Sequence, residues 1–492
     1  MTSPDLPRLD DDARVSARLD DETPGRQPNY LIRRGIAVGG VVGAIALGAV
    51  VVGSLIDGDD SSPTTGGADA NWNTIVLLDE RSGLVIITDE TGEEQARFES
   101  GLTSPTDALA VGSTMLATSA DEATIVDLAD ESAQTIELDV GTNGVTMPAG
   151  TALAMLTSTG RGDRAVLAHG PTGEVLDTER FAPIAGARYD IATTVATPAG
   201  RDVLVTDSGN FQSVLFSFDR DEPSYFPGRA LAVGDDLVVT TQNVGSEASI
   251  TVFDHDGSAV SDARAPSVRA GMISGGSVIV VTVDGEVIEL SAANGTTSTL
   301  DTLAIGTVQT GYVSTAGDRL IVVGDAGSAI LDESGDVLAT IPDVVPLDSG
   351  INELAPRTSS CVAFVDTVSA GASLTIASLA DGTIVAEAVA DAPMFPSVDG
   401  CTVVATAGSS LSIIGQDGVA EHAADGVLTS LAPDGRTAVT RSTAGRLLLV
   451  DLTAPESELV ASVPGTSATG SPDDSTTIDL GPASRRVLFT ER

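Results

Sequence analysis

From Trp72 onward the chain is written in short runs of Val, Ile, Leu and Thr, four to seven residues long, separated by Gly and Asp. Such runs read as strands, because β-branched residues suit a pleated backbone while Gly and Asp tolerate the tight turns between them. No segment sustains the i, i+3, i+4, i+7 apolar spacing of an amphipathic helix. The runs recur in groups of about 40 residues: DALAVGSTMLATSADEATIVDLADESAQTIEL (Asp107 to Leu138) is echoed by ALAVGDDLVVTTQNVGSEASITVFDHDGSAV (Ala230 to Val260) and by STAGDRLIVVGDAGSAILDESGDVLATI (Ser314 to Ile341). Each group reads as an apolar strand, a turn, two further apolar strands, a hairpin and a fourth strand. This predicts an all-β fold.

The hairpins carry their own signature: Asp89-Glu90-Thr91-Gly92, Gly170-Pro171-Thr172-Gly173, Asp254-His255-Asp256-Gly257 and Asp332-Glu333-Ser334-Gly335. A four-stranded antiparallel unit of this length, repeated around an axis, is the blade of a β-propeller. The segment Ala432-Pro433-Asp434-Gly435-Arg436-Thr437-Ala438-Val439 resembles the S-P-D-G-r-t-l motif of WD-repeat and YVTN-type propellers, and the D-x-x-G hairpins are similar to those of quinoprotein-like repeats. That resemblance is one of fold. The expectation is a ring of about eight to ten four-stranded blades over 72–492. A terminal strand such as RRVLFT (Arg485 to Thr490) would pair with the first blade, leaving no open sheet edge.

Ahead of the repeats, Ile36 to Ile56 (IAVGGVVGAIALGAVVVGSLI) runs 21 residues without a charge. At about 1.5 Å per residue such a helix spans about 30 Å, enough to cross a bilayer. Arg33 and Arg34 precede it and Asp57, Asp59 and Asp60 follow, which by the positive-inside rule puts the amino terminus in the cytoplasm and the large domain outside. A cleaved signal peptide is the competing reading, but the apolar run is too long for one and no A-x-A site follows. The expected division is therefore a disordered tail (1–34), a transmembrane helix (35–56), a Gly/Ser/Thr/Asp linker (57–71) and the extracytoplasmic propeller (72–492). Gly35, Gly39 and Gly43, with Gly40, Ala44 and Gly48, form small-residue rows of the kind that let two helices approach, or that membrane spans simply contain. The tail repeats Arg8-Leu9-Asp10-Asp11 as Arg18-Leu19-Asp20-Asp21, either a docking motif or ordinary mixed-charge sequence.

All 25 basic residues are Arg, against 70 acids. Beyond Arg34 there are 63 acids and 19 arginines, a net charge of −44. Phosphates and anionic lipid surfaces would be repelled, so nucleic acid is excluded as a partner. Lys-free, Ala/Gly/Asp/Arg-rich composition points to a high-GC bacterial genome. Cys361 and Cys401 open apolar strands at matching places in successive repeats, SSCVAFVD and DGCTVVAT. A disulfide between neighbouring units fits the oxidising side of the membrane; two buried free thiols are the alternative, should the strands lie beyond the Cα reach of about 7 Å.

Candidate chemistry is sparse. His169, His255 and His422 fall in different units at or near hairpins and read as surface turn residues. Three histidines in separate units barely permit a zinc site, and no G-x-S-x-G elbow appears. Asp254-x-Asp256-Gly257 is a fragment of a calcium loop without its closing Glu. The quinoprotein resemblance implies blades docked by a Trp in each repeat and a cofactor stacked against aromatic and cysteine groups, whereas this chain has Trp72 alone and 3% aromatics. No catalytic, cofactor or metal residue is therefore named, and no cofactor is expected. Arg97, Arg188, Arg229 and Arg357 stand out as rare cations that either receive an anionic ligand or neutralise nearby carboxylates. The reading is a single-pass, membrane-anchored, non-catalytic binding or scaffold protein of a bacterial envelope, with an envelope protein or glycan as partner. A hydrolase or lactonase with a metal at the axis is the alternative.

Overall fold

The computed structural model describes residues 72–490, apart from 121, 138–143, 147–150, 157–161, 170–171, 173, 178–184, 245–246, 315, 348–359, 367–370, 409, 425, 454–458 and 463–476. The tail, the proposed transmembrane helix, the linker, most of the Gly170–Gly173 hairpin and Arg357 lie outside the described residues. Among the described residues no helix is long and apolar enough to cross a membrane.

The described chain is all strand and turn, arranged as antiparallel ladders of four. Seven four-stranded sheets stand alone. An eighth, seven-stranded sheet is two ladders fused through Ile384–Pro396, a 13-residue strand whose first half pairs with Ala372–Ser378 and whose second half pairs with Val403–Ala407. In the last sheet a parallel strand, Leu459–Ser462, is added outside the four. Numbered along the chain, ten ladders result. The first is built on Thr74–Asp79, the second covers 107–137, the third 144–177, the fourth 189–227, the fifth 229–266, the sixth 268–302, the seventh 308–342, the eighth 345–390, the ninth 391–423 and the tenth 427–482.

Middle strands are buried on both faces, as in Ser277–Thr282, where Val278, Ile279, Val280 and Val281 are at most 1% exposed. The fourth strand of the same ladder, Thr297–Thr302, is exposed throughout. A sheet covered on both faces needs uninterrupted apolar runs, which is why strict alternation is missing from the sequence. Buried apolar clusters then join each ladder to the next: Val76 and Leu78 with Ala108 and Met115, Ala165 and Leu167 with Val203 and Val205, Val362 and Phe364 with Ile321 and Ile330. The tenth ladder packs back on the first through Val439, Leu449 and Leu480 against Ile75, Leu77 and Phe489.

Chain ends meet at that junction. Arg485–Thr490 pairs antiparallel with Thr74–Asp79 and takes the first-strand position of the first ladder. Trp72 donates its indole N–H to Asp434 Oδ2 at 2.8 Å and sets its ring edge-on to Phe489, centroids 5.0 Å apart. The A-P-D-G turn is thus both a local hairpin and the receptor for a residue 362 positions away. Arg486, 2% exposed, donates to Asp107 Oδ1 at 3.0 Å and to the Thr106 carbonyl at 2.8 Å, and lies 3.4 Å from Glu80, locking the last strand to the first two ladders.

The disulfide lies at the fused pair. Cys361 and Cys401 are bonded, with Cα atoms 4.9 Å apart, so the openings of the second strands of the eighth and ninth ladders converge. Cys361 belongs to the apolar cluster between those ladders, with Cys401 packed against it.

Candidate functional site

The acidic hairpins come first, because a metal or a catalytic acid would be sought there. Asp89 Oδ1 accepts the N–H groups of Thr91 and Glu93 at 2.9 Å, Asp254 Oδ1 those of Asp256 and Ser258 at 3.0 and 2.8 Å, and Asp332 Oδ1 those of Ser334 and Asp336 at 2.8 and 3.0 Å. Gly92, Gly257 and Gly335 follow at φ of 78°, 87° and 83°, a conformation that a Cβ disfavours. Partial burial pushes the Asp89 carboxyl up, but hydrogen bonds from Thr91, Glu93 and Gln95 outweigh it and hold the group below its ordinary value. These carboxylates bind their own turns. No group of three or more His, Cys, Asp or Glu among the described residues could hold a metal.

The histidines correct the sequence reading. None is a surface residue: His169, His255 and His422 are 4%, 6% and 6% exposed. The folded chain covers them, which local turn chemistry cannot foretell. His169 bonds Thr172 Oγ1 through Nδ1 and the Ala199 carbonyl through Nε2, and His255 Nε2 bonds the Gly234 carbonyl. His169 thereby ties its hairpin to the next ladder, whereas His255 ties its hairpin to the first turn of its own ladder.

His422 differs: its Nε2 is buried without a hydrogen-bond partner among the described residues. Burial lowers its pKa below 6.5, with the charge of Asp451 opposing. The folded protein therefore keeps this ring neutral while the unfolded chain takes up a proton. Stability is lost as pH falls through about 6.5 and is unaffected above it. Urea midpoints at pH 7.5 and 5.5 should fall further for the parent than for His422→Leu; parallel falls would remove the assignment.

The arginines sort into two kinds. Arg97 chelates Glu94 with bonds of 2.9 and 2.6 Å, and Arg188 reaches Asp163 at 3.2 Å. Arg164, Arg201 and Arg446 are held by Asp177, Asp219 and Asp479. Arg229 has no carboxylate within ion-pair distance among the described residues, and neither does Arg269 on the adjacent ladder. Both are solvent-exposed. Desolvation lowers the Arg229 pKa from its ordinary value, Arg269 lowers it further and Asp190 opposes.

Their surroundings are built from the third to sixth ladders. Asp207, fully buried, accepts the Arg188 and Gly209 N–H groups at 2.8 and 3.1 Å and the Asn210 amide at 2.7 Å, fixing the turn that ends at Phe211. Asp163, with a side chain 2% exposed, accepts the Tyr189 N–H at 2.7 Å. Its pKa is raised by burial, against the pull of Tyr189 N–H and Arg188. Burial, with Asp207, also raises the Tyr189 hydroxyl. Phe211 itself is 85% exposed at φ 55°, rare for a bulky side chain, and its carbonyl accepts the Gly228 N–H at 3.3 Å, beside Arg229. The sequence reading singled out Arg188 and Arg229 and passed over Phe211, Arg269, Asp163 and Asp207. An Arg at the start of a strand in a chain of net charge −45 was the available signal for Arg269.

No family model matches the sequence, and no curated protein does. Solved structures do resemble this fold. A eukaryotic initiation factor aligns at TM-score 0.45 and 13% identity, over 72% of this chain and 97% of its own. BamB from Moraxella catarrhalis aligns at TM-score 0.32 and 14% identity, over 74% and 97%, and apo AztD from Citrobacter koseri at 0.34 and 10%, over 84% and 98%. At these identities and scores the likenesses say nothing of what this chain binds.

Proposed function

We propose that the chain is a ten-bladed β-propeller, anchored by Ile36 to Ile56 with its amino terminus in the cytoplasm, that serves a bacterial envelope by binding rather than by catalysis. The blade number is supported by the ten ladders and by clusters that run from each to the next and from the tenth to the first. Membrane attachment is supported by the uncharged run behind Arg33 and Arg34.

The observation that carries the binding reading is the contrast between two sets of side chains. Hairpin acids are spent on their own amides and the histidines lie in three different ladders, whereas Phe211, Arg229 and Arg269 present contact groups at the ends of adjoining ladders. An exposed aromatic ring and unpaired guanidinium groups recognise a ligand without altering it. An envelope protein or glycan is the class of partner. The rival reading, a hydrolase or lactonase with a metal at the axis, requires convergent carboxylates.

Native mass spectrometry of the full chain in detergent, before and after chelator, separates the two. The binding reading expects no stoichiometric metal and an unchanged melting temperature. A bound metal that the chelator strips, with a fall in melting temperature, would put the enzyme first.

A further inference from the structure

We propose that the end of the fourth to sixth ladders binds the carboxylate of an acidic sugar, with Arg229 and Arg269 as its cationic ligands and Phe211 beside them; this rests on the binding reading above. The first strands Tyr189–Ala196, Arg229–Val233, Val268–Ser274 and Val308–Val313 lie side by side in order. Small residues set that spacing. A Cβ on Gly311 would lie 2.4 Å from the Ala270 Cβ, and one on Gly271 3.1 Å from Leu231 Cγ, so larger side chains would force the strands apart. Each of the last three strands slips register near its start, between Ala230 and Ala232, Val268 and Ala270, Val308 and Thr310. Arg269 is thereby the extra residue of its bulge, a device that re-aims a side chain.

Two guanidinium charges held on neighbouring strands repel each other, and partial desolvation of the exposed Arg229 adds to that cost. Beyond Arg34, where the net charge is −44, carboxylates to relieve them were abundant, and arginines such as Arg97, Arg201 and Arg446 have them. Among the described residues, Asp190 opposes the repulsion at Arg229. An anion entering from solvent completes the pair, and arginine forks match a carboxylate with two parallel hydrogen bonds. The ligand carries few charges, because the surrounding field disfavours a polyanion, whereas beyond the Debye length of about 8 Å that field is screened and the local arginines decide. Phe211 at φ 55°, held by the Asp207-anchored turn, leaves an aromatic ring in solvent at the same end, a surface on which the apolar face of a sugar ring can lie.

The test is thermal melting of the full chain in detergent at constant ionic strength, titrated with glucuronate, glucose or inorganic phosphate. Glucuronate should raise the midpoint saturably, glucose should not, and phosphate should act more weakly than the sugar acid. R229Q and R269Q should each weaken the response about tenfold or more, R229K/R269K should keep part of it, and the hairpin variant R436Q should match the parent. Both substituted arginines are exposed, so the variants should retain the parent circular dichroism and midpoint in chloride alone. No saturable response in the parent, an equal response in R229Q/R269Q, or phosphate acting as strongly as glucuronate would overturn the assignment. A response to glucose equal to that to glucuronate would also overturn it, while leaving the binding reading intact.

Discussion

Arg486→Met should destabilise the protein by about 3 kcal/mol, read as a lower urea midpoint with an unchanged slope. Removing this guanidinium takes the cation from Glu80 and Asp107 at the junction of the first two ladders, and the donor from the Thr106 carbonyl. The lower end of the range for broken buried pairs applies, because the two carboxylates are still 25% and 29% exposed and regain some water. The triple variant Arg486→Met, Glu80→Gln, Asp107→Asn should recover much of the loss, since no uncompensated charge is then left. A triple variant as unstable as the single one would show that the arginine acts through packing alone. Because Arg486 lies on the strand that closes the last ladder onto the first, the loss should be accompanied by faster protease cleavage at both chain ends.

The double variant Cys361→Ser, Cys401→Ser should lose about 4 kcal/mol. The bond closes a segment of 40 residues, and the chain-entropy relation gives about that figure for the denatured state. The expected readout is a lower urea midpoint for the variant and the same fall when the parent is treated with dithiothreitol. Alkylation of the unfolded, unreduced parent should leave both sulfurs unlabelled; two labels would end the argument.

Much of the fold could be read along the chain. Strand and turn are decided within a few residues: Asp89, Asp254 and Asp332 each cap amides two and four positions on, and the glycine three positions on supplies the positive φ. The repeat of about 40 residues and the terminal strand RRVLFT are legible for the same reason, since they consist of such local units in succession. The candidate site was less legible. Arg188 and Arg229 look alike as rare cations, but one is paired with Asp163, 25 positions back, and the other has no carboxylate in reach among the described residues.

What the sequence by itself determined is the alphabet: which segments are strands, where they turn, and that four of them make a unit. Only the tertiary structure decided how those units share and close. Ile384–Pro396 serves two ladders at once, the last strand fills the first position of the first ladder, and Trp72 meets Asp434. Burial of the three histidines and the pairing state of each arginine belong to that same level. The physical reason is range. Backbone conformation answers to neighbours a few residues away, whereas burial and charge pairing answer to whatever the packed ladders bring within a few ångströms, however distant along the chain.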